Sequence, residues 1–174
     1  NNAIVVGDSG VGKTATVRYI AKMINEGNVP EVYKDKVLSE INFSALISGM
    51  LYKGAFEARL KAIIEDAKKS GKYIFFIDDI DSLTENPRYA EGDVDVLLSS
   101  VLNESKIRFI CTSSVKGYSK LISNYPNFIK KMGKIEIEEC NDKLALDILI
   151  QSKEKYEQYH EVIYPKKVLK TCID

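Results

Sequence analysis

The chain has 174 residues, with 25 Lys plus Arg balanced by 25 Asp plus Glu. That length suits one α/β domain, or one with part of another. Zero formal charge argues against a protein built to coat nucleic acid or an acidic membrane. Three scattered cysteines and a single histidine supply no metal-ligand spacing, and fit reduced thiols in a cytosol-like compartment. No apolar run approaches membrane-spanning length and no signal peptide opens the chain. The chain starts two residues before its first strand and stops inside an amphipathic stretch, so it reads as a piece of a longer polypeptide.

Ala3-Ile4-Val5-Val6 is a short apolar run, as a buried parallel strand requires. Gly7-Asp8-Ser9-Gly10-Val11-Gly12-Lys13-Thr14 follows, and fits the pattern G-x-x-x-x-G-K-[ST]. From Thr14 to Ile24 the apolar residues Val17, Ile20, Ala21 and Ile24 recur at helical spacing. Glu26 to Pro30 breaks that helix, and Lys36 to Phe43 reads as a second strand. Ser48 to Gly54 is a loop with glycine at both ends, before a helix from Ala55 to Ser70. Tyr73 to Asp79 is a third strand, continuously apolar until two carboxylates end it. Thr84 to Gly92 is polar and reads as mobile. Val94 to Leu102 is a helix, and Ile107 to Thr112 a fourth strand. Tyr118 to Ile122 is a short helix ended near Pro126. Lys134 to Ile137 alternates like an edge strand. Asn141 caps a last long helix with Leu144, Ile148 and Leu149 on its apolar face, and Pro165 opens another. Alternating strands and helices with a phosphate loop after the first strand predict a three-layer α/β sandwich on a parallel sheet.

The motif carries a mechanism. Its glycines let the backbone curl so that several N–H groups face one anion, and the helix N-terminus adds partial positive charge. Lys13 would reach the β- and γ-phosphates of ATP, and the Thr14 hydroxyl would hold Mg²⁺. Ligands of such sheets bind outside the strand carboxyl ends, which brings Asp78 and Asp79 beside the loop. Asp78 would then order the metal's surroundings and Asp79 would act as base on the attacking water. The plainer reading is two acids that solvate a strand tip, and Asp81 is expected to be solvated. Thr112-Ser113-Ser114 ends the fourth strand with three hydroxyls. One of them meets the γ-phosphate if that strand neighbours the first, or the group caps the next helix.

Together these residues resemble the first AAA+ module of the Clp ATPases over nearly the whole chain. Asn1-Asn2 resembles their Asn-Asn-Pro entry to the first strand, and Gly27-Asn28-Val29-Pro30-Glu31-Val32 their Gly-Asp-Val-Pro-Glu turn. Tyr52-Lys53-Gly54-Ala55-Phe56-Glu57-Ala58-Arg59 resembles their Tyr-Arg-Gly-x-Phe-Glu-x-Arg stretch. Lys155-Tyr156-Glu157 and His160 resemble their Lys-Tyr-Glu-x-x-His. The resemblance implies a P-loop NTPase sandwich of AAA+ type with a five-stranded parallel sheet over residues 1–139. The start of a helical lid would occupy 140–174. It implies hydrolysis of ATP to ADP, a hexameric ring, and threading of unfolded or tagged proteins through a pore gripped by Tyr52. A protease ring is a further partner of such machines; nucleic acid and membrane are not. The implied compartment is the bacterial cytosol or an organelle matrix such as a plastid.

Two departures bear on catalysis. The family's third strand usually ends Asp-Glu, where this chain has Asp78-Asp79, one methylene shorter. Lys130-Lys131 stands where the family has paired arginines that reach a neighbouring subunit's γ-phosphate; lysine keeps the charge and loses the planar fork. Ser114 falls at the family's polar sensor position and keeps a hydroxyl. These departures leave a second reading, a nucleotide-binding regulatory or structural subunit with weak turnover. A third, a DNA-acting ATPase, is disfavoured by the absence of a basic stripe.

Overall fold

The computed structural model describes residues 1–47, 53–85, 92–103 and 107–173. The chain divides into two compact units, Asn1–Ile137 and Glu138–Asp174.

The first unit opens with strand β1 (Asn2–Val6) and helix α1 (Lys13–Asn25). Between them and the next long helix lie a single turn α2 (Glu31–Lys34), strand β2 (Val37–Glu40) and a short α3 (Phe43–Ile47). Then come α4 (Lys53–Ser70), β3 (Tyr73–Ile77), a 3₁₀ turn over Ile80–Glu85 and α5 (Gly92–Leu102). The unit closes with β4 (Arg108–Ser113), α6 (Val115–Asn124), α7 (Pro126–Ile129) and β5 (Met132–Glu136). The five strands form one sheet in the order β2-β3-β4-β1-β5, and every pairing is parallel. The expected five-stranded parallel sheet is therefore the observed one, with β5 at its edge.

Strand alternation separates two apolar layers. Ile4, Val6, Phe75, Ile77, Phe109 and Cys111 face one cluster, with Phe56, Leu60 and Ile64 of α4, Val94 and Leu98 of α5, and Phe128 of α7. The intervening Val5 and Phe76 face Val17 of α1 on the other side, with Ile110 packed against them. Strands buried on both faces have no polar side to show, which is why they read as continuous apolar runs.

The second strand is shorter than expected. Ile41 N–H still bonds Phe76 O at 2.7 Å, but the Asn42 side chain then accepts Ala45 N–H at 2.8 Å. That cap starts α3, so Phe43 is a buried helical residue rather than the end of a strand.

In the second unit Asn141 Oδ1 accepts Leu144 N–H at 2.9 Å and starts α8 (Asp142–His160); α9 (Lys166–Thr171) follows Pro165. Leu144 and Ile148, expected to be covered, are each 51% exposed. Glu157 closes the α8–α9 connection, accepting Tyr164 N–H at 2.8 Å and Lys153 Nζ at 3.1 Å. Among the described residues, no helix is long and apolar enough to cross a membrane.

Candidate nucleotide site

Strand order decides where the site forms. β4 lies between β1 and β3, with Val6 opposite Ser113 and Ile77 opposite Cys111. The loop that leaves β1 and the acids that leave β3 therefore emerge on either side of the end of β4.

The loop is shaped by its glycines. Gly10 and Gly12 hold φ of +87° and +98°, in the left-handed region that side chains seldom adopt. At Gly7 a Cβ would stand 2.4 Å from Ile137 O, so the backbone passes too close to its neighbour for any side chain. Gly12 is the N-cap of α1, and no acidic residue occupies that helix's first turn. The first N–H groups of a helix lack intrahelical acceptors, so this end offers donors and partial positive charge to an anion.

Lys13 opens α1 and is buried, 8% exposed. Its ammonium turns back into the loop, donating to Gly7 O at 3.0 Å and Asp8 O at 2.8 Å. One helical position on, Thr14 Oγ1 lies 3.0 Å from each oxygen of Asp78. Two residues 64 positions apart in the chain thus meet in one hydroxyl–carboxylate contact.

Asp79 adopts φ +47°, a conformation that Asp and Asn tolerate better than other side-chain-bearing residues. Its N–H donates to Thr112 Oγ1 at 2.8 Å, and the same hydroxyl donates to Asp78 Oδ1 at 2.5 Å. Partial burial raises the Asp79 carboxyl above its ordinary value, and the charges of Asp78 and Asp81 push the same way against Lys13.

Asp81, expected to be solvated, is not. Its Oδ2 accepts Ser114 Oγ–H at 2.8 Å and Ser114 N–H at 3.4 Å, while Oδ1 is buried without a hydrogen-bond partner among the described residues. The cause is tertiary: the start of α6 packs against the 3₁₀ turn that carries Asp81. Ser114 is the N-cap of α6 and accepts Gly117 N–H at 2.9 Å. Of the alternatives open for the three hydroxyls, capping is therefore occupied by Ser114, and the hydroxyl on the acid pair belongs to Thr112. Strand pattern alone could not pick out Thr112, because its role depends on which strands are neighbours.

Lys130 and Lys131 are not brought to this loop. They precede β5, whose Met132 pairs with Asn2, and so lie at the amino end of the strands, across the sheet from the loop. Lys131 Nζ is held by Ser99 O and Asn103 Oδ1, each at 2.8 Å, and Lys130 is exposed. Tyr52 lies outside the described residues.

Comparison with known proteins agrees with this architecture. The family model described as "ATPase family associated with various cellular activities (AAA)" matches residues 3–135. The ATP-dependent Clp protease ATP-binding subunit ClpL of Staphylococcus aureus (strain USA300) is 34% identical over 179 aligned residues, covering 100% of this chain and 25% of that protein. Two Hsp104 structures superpose closely. The closed-state cryo-EM reconstruction with ATPγS and FITC-casein has a TM-score of 0.88 at 28% identity, over 99% of this chain and 29% of that one. The Saccharomyces cerevisiae Hsp104–ADP complex has a TM-score of 0.83 at 27% identity, over 98% and 29%. The chain spans about a quarter of the length of the curated relatives it matches. A phosphate loop, an acid pair and a five-stranded parallel sheet in this order, with a family match over most of the sequence, establish that the chain belongs to the AAA family of ATPases and is of the Clp type.

Proposed function

We propose that this chain binds and hydrolyses ATP as one module of a Clp-type machine that unfolds or disaggregates proteins. The observation that carries the reading is the meeting of Lys13, Thr14, Asp78 and Asp79 at the carboxyl ends of β1 and β3. In this reading Gly7 to Thr14 wraps the phosphates, and the Lys13 ammonium exchanges the two backbone carbonyls for phosphate oxygens. Thr14 and Asp78 offer hard oxygen donors, and no group of three or more His, Cys, Asp or Glu side chains is gathered for a metal among the described residues. Two protein groups completed by phosphate and water are the donor set that suits Mg²⁺. Bound there, Mg²⁺ would neutralise phosphate charge. Asp79, with its raised proton affinity, takes the proton of the attacking water. Ser114 would have to give up Asp81 to meet a γ-phosphate, which makes it a reader only in a rearranged state.

Polypeptide as the substrate is supported by the solved Hsp104–casein complexes that resemble this chain. The proposal assigns Tyr52 to gripping that polypeptide in a hexameric ring, in a cytosolic or organellar compartment, with a protease ring as an optional partner. Packing an aromatic ring on an extended backbone needs no side-chain code. Lys130 and Lys131, at the far end of the strands, face away from their own loop and would serve a neighbouring subunit.

A second reading, a nucleotide-binding subunit with slow turnover, is favoured by the short Asp79 side chain and by the bonds that tie Lys131 to α5. Steady-state ATP hydrolysis by the natural polypeptide, with and without unfolded casein, separates the two. Stimulated turnover, lost with nucleotide binding in Lys13→Ala, is the expected result. Tyr52→Ala should retain basal turnover and lose casein unfolding. Background turnover that Asp79→Glu does not raise would install the second reading.

A further inference from the structure

Thr112 is wholly buried, 0% exposed, at the end of the central strand β4. Valine would fill the same space without bringing a polar atom into the core. The hydroxyl works in both directions: it donates to Asp78 Oδ1 at 2.5 Å and accepts Asp79 N–H at 2.8 Å. Its two neighbours do something else, since Ser113 Oγ bonds Ser114 O at 3.0 Å and Ser114 Oγ bonds Asp81.

We propose that Thr112 is a positioning residue for ATP hydrolysis, its single hydroxyl fixing the Asp78 carboxylate and the Asp79 backbone in one frame. The proposal rests on the roles given to Asp78 and Asp79 above. Each of its bonds has a distinct effect. A residue with a side chain at φ +47° stays there only when its surroundings hold it. Asp79 is held on both sides, its N–H by Thr112 and its carbonyl by Ser82 N–H at 3.0 Å. Among the described residues Asp78 has two hydroxyl donors, but the one proton of Thr14 is divided between both oxygens at 3.0 Å. A cation held by Thr14 would take a lone pair of that hydroxyl and leave its proton for Asp78, so the undivided Thr112 bond is the one that fixes Oδ1 in particular. The placement follows from topology, because only β4 ends between the loop and the acids.

The test compares Thr112→Val, which keeps the shape, with Thr112→Ser, which keeps the hydroxyl, in the whole natural polypeptide. A reacting group displaced by about 1 Å costs up to about a hundredfold in rate, so Thr112→Val should lower kcat by about tenfold or more while MgADP affinity stays within about threefold. Thr112→Ser should return kcat to within about threefold of the parent. Hydrogen exchange at the Asp79 amide of the nucleotide-free protein gives a readout independent of chemistry. It should quicken by about tenfold or more in Thr112→Val and stay near the parent in Thr112→Ser. Parental kcat and exchange in Thr112→Val would overturn the proposal, as would a serine variant as slow as the valine one. If Thr112→Val does not fold, Thr112→Ala replaces it in the comparison. Parental turnover in Asp79→Asn would instead sink the base assignment, and the exchange result alone would then decide whether Thr112 holds Asp79.

Discussion

Asp79 places a carboxylate where burial, Asp78 and Asp81 all favour its protonated form, with Lys13 as the opposing charge. The folded chain therefore holds this proton more tightly than the unfolded chain does. Stability then falls as pH rises from the ordinary carboxylate value through the raised folded one, and the penalty is fully present at neutral pH. Asp79→Asn removes the charge and keeps a residue that tolerates the left-handed backbone. We expect the variant to melt higher than the parent at about pH 7, and the gain to vanish at about pH 3, where both states of the parent are protonated. The same variant should hydrolyse ATP poorly. A thermal-unfolding series across that range checks the first part. A lower melting temperature at neutral pH would mean that the Asp79 charge stabilises the fold. Stability given up at a working residue is a common trade, and here three acids crowd the end of one strand and the turn that follows it.

At the scale of elements, α6 is held to the 3₁₀ turn by Asp81, and Gly117 makes the room. A Cβ on Gly117 would sit 1.7 Å from Asp81 Oδ2, and its three nearest atoms all belong to Asp81. Gly117→Ala should therefore destabilise by about 1–3 kcal/mol, by displacing a carboxylate that caps the helix. In an Asp81→Ala background the collision is gone and ordinary helix propensity returns. The same substitution should then stabilise by about 0.5–1 kcal/mol. Chemical denaturation of the four variants measures that reversal, and an unchanged sign would place the obstacle elsewhere. This clasp also shows what the sequence could not disclose. The phosphate loop, its strand and its helix are local, so eight consecutive residues with apolar neighbours announced them. The end of β2 is not legible in the sequence, because the Asn42 cap competes with strand pairing there. The roles of Asp81 and of Thr112 among its neighbouring hydroxyls are not legible in the sequence either, because their partners are some thirty residues away and meet them only once β4 is inserted between β1 and β3.

At the scale of the whole chain, the two units differ in what they can bury. Asn1–Ile137 contains all five strands and both apolar clusters, and its central strands are covered on both faces. Glu138–Asp174 contains two helices whose buried apolar residue, among those described, is Leu169 alone. Two helices of this size bury too little apolar surface to offset the entropy of ordering their backbone, and domains below about 40 residues usually need a disulfide, a metal or a partner. The cysteines here are free, and no metal cluster occurs among the described residues. Residues 1–137 should thus fold alone with a cooperative thermal transition, whereas 138–174 alone should lose most of its helical circular-dichroism signal despite the Asn141 cap. That cap is worth only about 1 kcal/mol, and short isolated helices are marginal even with good caps. The half-exposed Leu144 and Ile148 give the reason a physical form, since a helix that leaves half its apolar face in water draws little from packing. Cooperative unfolding of the isolated 138–174 peptide would show instead that α8 and α9 form a core of their own.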